Sequence, residues 1–476
     1  MKLKRIIPAV VLISLILVNV IFDSGCANII PPAGGPKDTI APVLLDANPN
    51  DSTLNFSGSR ITFTFDEFID IQNVYENLIV SPLPKVNPAV DFKLKTLTVR
   101  IKDTLEPNTT YTLNFGNSVK DYTEGNVFKD FSYTFSTGSY LDSLEIKGNV
   151  ILAENGKIDT TLIVMLHANG DDSAVIKEKP RYVTRLDGKG NFVFNNLPVK
   201  TFFIYALKDE GNSRRYLNDK QFFAFADSAV NTAQQNNPIT LYAFSATKAT
   251  QQTTVPSSPG ISPKNRKTEA QSEKRLRYMT NLTNGQQDLL SDFEISFEEP
   301  LKAFDTTKIN LYTDSVYNKE SNYKWEIDSS RKKITLSCQW KENTFYHLIM
   351  EKDFAVDSTG KMLLKSDTLN FATKRLADYG TLRLRLRNLD ISKNPVLQFV
   401  QNETIYKSFP LSSEEFNQKL FPPGEYQLRI LFDDNKNGVW DPGEFFGKHK
   451  QPEIVKPVDR KINVKSNWQN EIEIVL

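Results

Sequence analysis

The sequence predicts an all-β chain of tandem β-sandwiches in an A-B-A-B order. Three observations carry that reading: period-two alternation of apolar residues, turn residues at short intervals, and an internal duplication. Alternation is plain in Ile61-Thr62-Phe63-Thr64-Phe65, in the run Phe92 to Val99, and in Thr381-Leu382-Arg383-Leu384-Arg385-Leu386. Apolar residues recur two positions apart, which suits strands with one face on a core and one in water. Asn155-Gly156, Asp187-Gly188 and Pro423-Gly424 punctuate such runs, as hairpin-connected sandwiches require. No long stretch carries the 3.6-residue period of an amphipathic helix.

Two blocks align without gaps at an offset of 224 residues. Leu197-Pro198 and Phe202 match Phe421-Pro422 and Tyr426; Asp209 matches Asp433, Tyr216 matches Trp440, and Phe222 matches Phe446. Each block ends in a strand, Ile239-Thr240-Leu241-Tyr242 and Ile472-Glu473-Ile474-Val475. The blocks upstream repeat more loosely. Phe63, Phe65, Asp66 and Glu67 answer to Ile295, Phe297, Glu298 and Glu299, and Phe135-Ser136-Thr137 to Phe371-Ala372-Thr373. Residues 245–275 are rich in Thr, Ser, Pro, Gln and Lys, which reads as a solvated linker about which the halves reorient. The expected organisation is a signal peptide (1–25), a tether (26–38), A (39–138), B (139–244), the linker (245–275), A again (276–375) and B again (376–476).

After the leader about 450 residues remain, enough for three or four domains. Lysine plus arginine (58) balance aspartate plus glutamate (57), so the charge favours neither nucleic acid nor an anionic surface. The leader has Lys2, Lys4 and Arg5 ahead of an apolar run, Ile6 to Phe22, and closes on Ser24-Gly25-Cys26. This is the pattern of an export signal, which places the protein outside the cytoplasm. With two cysteines in the chain, and Cys26 at the signal, Cys338 has no disulfide partner. It alternates with Ile334, Leu336 and Trp340 and reads as a small buried apolar residue.

On these residues the chain resembles several families. Small residues before Cys26 are similar to the lipobox of bacterial lipoproteins, which implies an acylated Cys26 inserted in a lipid bilayer; ordinary cleavage and an uncleaved anchor stay open. Tyr111 to Phe115, Val119-Lys120-Asp121, Gly125-Asn126 and Phe131 to Thr137 resemble bacterial Ig-like domains of S-layer type. Asp187 to Pro198, and Phe416 to Tyr426, resemble transthyretin-like or carboxypeptidase-regulatory-like sandwiches. Cys26-Ala27-Asn28-Ile29 with Gly34-Gly35-Pro36-Lys37-Asp38 resembles the mature start of Ig-like lipoproteins from Bacteroidota. The resemblance implies a non-enzymatic outer-membrane lipoprotein, a scaffold or protein-interaction module. Its partners would be outer-membrane or cell-envelope proteins, in the narrower form a protein assembly or transport complex. A carbohydrate-binding or adhesive envelope lipoprotein is the alternative.

The sharpest motif is Asp433 to Glu444. Asp433, Asn435, Asn437, Asp441 and Glu444 stand at loop positions 1, 3, 5, 9 and 12, with Gly438 at 6 and the Val439 carbonyl at 7, which meets the EF-hand calcium pattern. A strand-like run, Tyr426 to Phe432, precedes it, so a structural calcium loop inside a β-domain is expected; a metal-free Asx-rich turn is the competing reading. The first copy keeps Asp209 but has Gly211, Arg214 and Leu217 where the second has Asn435, Gly438 and Asp441, so it is expected to bind no ion.

Eleven Asp-Ser/Thr triplets recur, with hydroxyls at Thr39, Ser52, Thr104, Ser143, Thr160, Ser173, Ser228, Thr306, Ser315, Ser358 and Thr368. They resemble the O-glycosylation signal of exported Bacteroidota proteins. Turn-opening by Asp-Ser and Asp-Thr explains much of the same excess. No catalytic constellation is legible. His167, His347 and His449 are the only histidines and fall in different expected domains, and Asp66-Glu67 and Glu298-Glu299 are carboxylate pairs at strand ends.

Overall fold

The computed structural model describes residues 37–234, 237–247 and 275–476. Cys26 and nearly all of the 245–275 segment lie outside them. Two compact units are resolved: the first holds the chain to Leu144 with Arg181–Val183 and Asn195–Pro198, and the second the remainder.

In the first unit, a four-stranded sheet runs in the order Leu44–Asn48, Arg60–Phe65, Thr96–Arg100, Ala89–Lys93. A three-stranded sheet has the order Ile79–Ser81, Thr110–Gly116, Phe131–Ser136, and Ile69–Ile71 pairs with Val119–Asp121. Ile61, Phe63 and Phe65 are fully buried while Thr62 and Thr64 are half-exposed. The strand therefore forms because one face has an aromatic core to enter. Phe63 meets Phe131 and Tyr133 edge-on, both at 5.1 Å, and Phe115 stacks on Phe131 at 4.9 Å. Burying each such ring is worth about 1.5–3 kcal/mol. The alternating run Phe92 to Val99, expected as one strand, is instead a hairpin. Leu94 takes a left-handed backbone, φ 56°, and splits it, so that Phe92 faces Leu97 across the pair. The turn shifts the alternation by one position, from Phe92 and Leu94 to Leu97 and Val99, a break of phase that a count of apolar residues two apart passes over.

The second unit contains the other three blocks, apart from the short segments of the first B block that group with the first unit. Residues 276–375 repeat the core topology of the first unit's sandwich and add two short strands, Gln286–Gln287 and Asn318–Lys319, to the edges of one sheet. One sheet has the order Tyr278–Thr280, Phe293–Phe297, Lys333–Cys338, Tyr323–Ile327. The facing sheet centres on Ile309–Thr313, Phe345–Met350 and Asp367–Thr373, and Leu301–Phe304 pairs with Ala355–Asp357. Phe63 and Ile295 thus occupy equivalent strands, as do Phe135 and Phe371.

The duplicated B blocks also share one topology. In the first, Leu144–Leu152 lies between Asn191–Leu197 and a parallel partner, Ile239–Ala243. In the second, Gly380–Arg387 lies between Glu415–Phe421 and a parallel partner, Gln469–Val475. The opposing sheets run Tyr182–Arg185, Leu162–His167, Thr201–Lys208, Phe223–Phe225 and Thr404–Pro410, Pro395–Gln401, Gly424–Phe432, Ile454–Val464. The chain is therefore all-β tandem sandwiches in A-B-A-B order. Among the described residues the helices are two single turns, Val74–Asn77 and Ala174–Lys177, apart from short 3₁₀ turns. Among the described residues, too, no helix is long and apolar enough to cross a membrane.

Strand register corrects one part of the gapless alignment. Leu207 pairs with Phe223 and Leu431 with Val455, so the offset of 224 grows to 232 before this strand. Phe222 therefore corresponds to Ile454 and not to Phe446. The eight additional residues lie between Asp441 and Glu453, so the insertion takes in the end of the calcium-type loop.

Candidate metal centre

The loop leaves strand Gly424–Phe432 at Asp433, whose buried carboxylate closes it. Oδ1 accepts the N–H of Asn437 at 3.2 Å and Oδ2 that of Gly438 at 2.6 Å. Gly438 has φ 78°, a left-handed conformation that a glycine adopts at no steric cost. Asn435 Oδ1 accepts from Asn437 N–H and Asn437 Oδ1 from Val439 N–H, at 3.0 and 2.7 Å. Both amide nitrogens donate to Asp441 Oδ2, Asn435 at 2.5 Å and Asn437 at 2.6 Å. Four of the five expected side-chain ligands are thus drawn together. The fifth, Glu444, is held by Lys448 Nζ at 2.8 Å, and its backbone pairs with Lys450.

A residue that the motif did not reveal completes the loop. Glu453, 2% exposed, accepts the N–H groups of Asp434 at 3.0 Å and Asp441 at 2.9 Å, and its carbonyl accepts the Trp440 indole N–H at 2.7 Å. Burial pushes its carboxyl pKa up, the backbone donors oppose this, and the nearby Asp433 and Asp441 charges add to the rise. A divalent cation would reverse that charge logic. Among the described residues no group of three or more Asp, Glu, His or Cys side chains is arranged to hold a metal. The fit therefore rests on asparagine oxygens beside Asp433 and Asp441, hard donors of the kind calcium takes.

The first copy shows how much of this shape needs no ion. Asp209 accepts from Ser213 N–H at 2.9 Å and Arg214 N–H at 3.0 Å, the same bonds as in the second copy. Arg214 takes Gly438's left-handed place, φ 54°, and carries a guanidinium near Asp209. Gln221, a neutral amide, stands in the place of Glu453: its Oε1 accepts the N–H groups of Leu217 and Asn218, at 2.6 and 3.2 Å, and its Nε2 donates to the Lys208 carbonyl at 3.2 Å. Loop closure is common to both copies; the concentration of acidic and amide oxygens belongs to the second alone.

The additional residues beyond the loop dock on the first B sandwich. Phe445 is buried against Tyr205, Phe223 and Phe225, at centroid distances of 5.6, 5.2 and 5.0 Å, and His449 stacks on it at 5.0 Å. Phe446 reaches Tyr216 at 5.5 Å. Asp172 accepts Gly447 N–H at 3.1 Å and binds His449 Nε2 at 2.6 Å, while Gln451 Nε2 donates to the Phe225 carbonyl and to Asp227. Val455 N–H donates to the Ala153 carbonyl at 2.8 Å, and Lys157 pairs with Glu403. A side chain at Gly156 would strike Pro457, since a Cβ there would lie 2.2 Å from its ring. These contacts join the two B sandwiches, so the expected free reorientation of the halves does not extend to them.

The remaining sequence candidates are dispersed. His167 is buried, its Nε2 lacks a hydrogen-bond partner, and burial pushes its pKa down to about 4. His347 is a sheet residue, bonded to Asn370 Oδ1 at 2.6 Å and stacked on Tyr317. Cys338 is half-buried and its thiol is pushed up to about 11 by burial. Asp66 accepts from Val43 N–H, and Glu67 has its carboxyl raised by burial and by Asp121, Asp66, Asp38 and Glu124. Of the eleven triplet hydroxyls all but Ser173 are exposed. In Asp159, Asp305, Asp314 and Asp357 the carboxylate accepts the N–H two residues on, the turn-opening bond expected of Asx.

Among curated proteins none is significantly similar to this chain. Among solved structures, the Bacillus anthracis TIE protein shares 10% identity over 94% of this chain and 76% of its own, with a TM-score of 0.16. The N-terminal part of the bacterial S-layer protein SbsC shares 17% over 43% and 44%, TM-score 0.15. BcpA, the major pilin subunit of Bacillus cereus, shares 7% over 70% and 99%, TM-score 0.16. Likeness at that level carries no argument. The sandwich of the first unit is the part of the chain that a family describes: residues 38–137 match the family model "Bacterial Ig-like domain".

Proposed function

We propose that this chain is a non-enzymatic scaffold of the cell envelope, anchored by lipid on Cys26, that presents its four sandwiches to envelope proteins. In its narrower form it is an accessory subunit of an outer-membrane assembly or transport complex. The observation that carries the reading is the doubled pair of sandwiches, the two B copies being fused by an aromatic dock into one body. Such a body offers sheet edges and loops at fixed spacing, which suits docking. Calcium is proposed as a structural ion of the loop Asp433 to Glu444, held by Asp433, Asn435, Asn437, the Val439 carbonyl and Asp441, with Glu444 joining after release from Lys448. Glycan on the exposed triplet hydroxyls belongs to the same proposal.

The carbohydrate-binding alternative has Trp468 in its favour, an exposed indole of the second unit, but Lys465 Nζ already lies 4.8 Å from its ring centroid. The test is in-cell crosslinking followed by purification through the C-terminus, with Cys26→Ser in parallel. A stoichiometric envelope protein lost together with membrane retention in Cys26→Ser supports the reading. A chain that crosslinks only to glycan, or that stays on the membrane without Cys26, overturns it.

A further inference from the structure

One end of the first unit gathers large apolar side chains that its core does not use. Val43, Phe68, Leu94 and Tyr122 are 49%, 51%, 62% and 72% exposed. They are neighbours through the backbone: Tyr122 N–H donates to the Phe68 carbonyl, Ile69 N–H to the Leu94 carbonyl, and Asp66 N–H to the Val43 carbonyl, at 2.9, 3.0 and 3.1 Å. Lys95 lies over the Phe68 ring at 5.8 Å. The chain enters the unit at this same end, where Asn126 Nδ2 holds the Asp38 carbonyl at 3.1 Å. Solitary exposed apolar residues are ordinary, but four together beside a chain entry mark a contact surface.

We infer that this tip, Phe68 and Tyr122 with Leu94 and Val43, rests in the interface of the bilayer that holds Cys26. The inference rests on the proposed anchoring at Cys26. Lys37 stands eleven positions after Cys26. At ~3.3–3.6 Å per residue that span reaches at most ~40 Å, so the tip stays within range of the bilayer surface. Aromatic rings with a polar edge favour the headgroup level, and a lysine stem beside them keeps its charge in water. The tether makes the contact intramolecular, at an effective concentration of order mM, so a weak surface suffices. Asp66, Glu67 and Glu124 around the tip select a zwitterionic surface over an anionic one.

The test uses the chain from residue 26, coupled through its Cys26 thiol to maleimide lipid in phosphatidylcholine vesicles. The half-buried Cys338 thiol, with its raised pKa, reacts slowly. Phe68→Trp reports the tip. Tyr140→Trp, beyond the far end of strand Phe131–Ser136 and ~20 Å away, is the control. With brominated acyl chains, the fluorescence that Phe68→Trp adds to the parent's should fall by about half, as insertion of ~5–10 Å implies, while that added by Tyr140→Trp is unchanged. Anionic lipid should reduce the quenching. Equal quenching in the two variants, or none in Phe68→Trp whether its new indole is open to aqueous iodide or shielded by the tether, overturns the inference. Because coupling is chemical, a failure of acylation in cells leaves this result intact and appears only in fractionation of Cys26→Ser.

Discussion

Removing one ring from the dock between the B sandwiches should uncouple them. Phe445 is 6% exposed and packs against three aromatics of the other copy and against His449. Phe→Ala at such a site costs about 3–5 kcal/mol, the transfer of the ring plus the cavity it leaves. Unfolding entropy of about 2.1 cal/mol/K per residue, over a unit of about 300 residues, gives roughly 0.6 kcal/mol/K, so Phe445→Ala should lower the melting temperature of the second unit by about 5–8 °C. Calorimetry on the full chain reads this directly. Since the loss falls on contacts between sandwiches, the transition should also broaden or split. Phe446→Ala, which removes a ring that is 38% exposed and meets Tyr216, should cost less than half as much. An unchanged single transition in Phe445→Ala, or equal effects of the two variants, would refute the claim that this ring couples the copies.

Calcium at about 100 times its dissociation constant should stabilise the loop-bearing sandwich by about 2.7 kcal/mol, with Glu444→Gln and Asp441→Asn each reducing the shift. Glu453→Gln, which installs the bridging amide of the first copy, should keep the fold and weaken calcium binding; no calcium heat in the parent protein identifies the loop as an Asx turn. His167 is held far below its ordinary pKa by burial, at about 4, so the unfolded chain binds the extra proton between pH 6.5 and 4. Stability should accordingly be full above pH 6.5 and fall by order 3 kcal/mol as pH drops to 4, and His167→Phe should flatten that fall in a series of melts against pH. Intact mass of the protein from its own host should exceed that of the lipidated polypeptide if the exposed triplets carry glycan, and equal it if the aspartates serve only their turns.

The sequence by itself determined the strands, the duplication and the loop, because each is written in local order. Alternation of Ile61, Phe63 and Phe65 is set by the pleat of a single strand, and the spacing of Asp433, Asn435, Asn437 and Asp441 by the backbone of a single turn. Tertiary structure alone decided what happens where distant segments meet. Glu453 reaches the loop from just ahead of another strand, and its counterpart Gln221 is hidden by the change of offset from 224 to 232. Phe446 looked like the continuation of a repeat, yet it and Phe445 belong to an insertion, and the Phe445 ring finds Phe223 and Phe225 more than 200 positions away. The Phe92 to Val99 hairpin escaped for a related reason, since its turn shifts the alternation by only one position, and the pairing of its two arms is decided in the folded sheet. Packing between remote segments depends on shape and burial that no short window of residues encodes, and it is packing that turned two copies of one sandwich into one body.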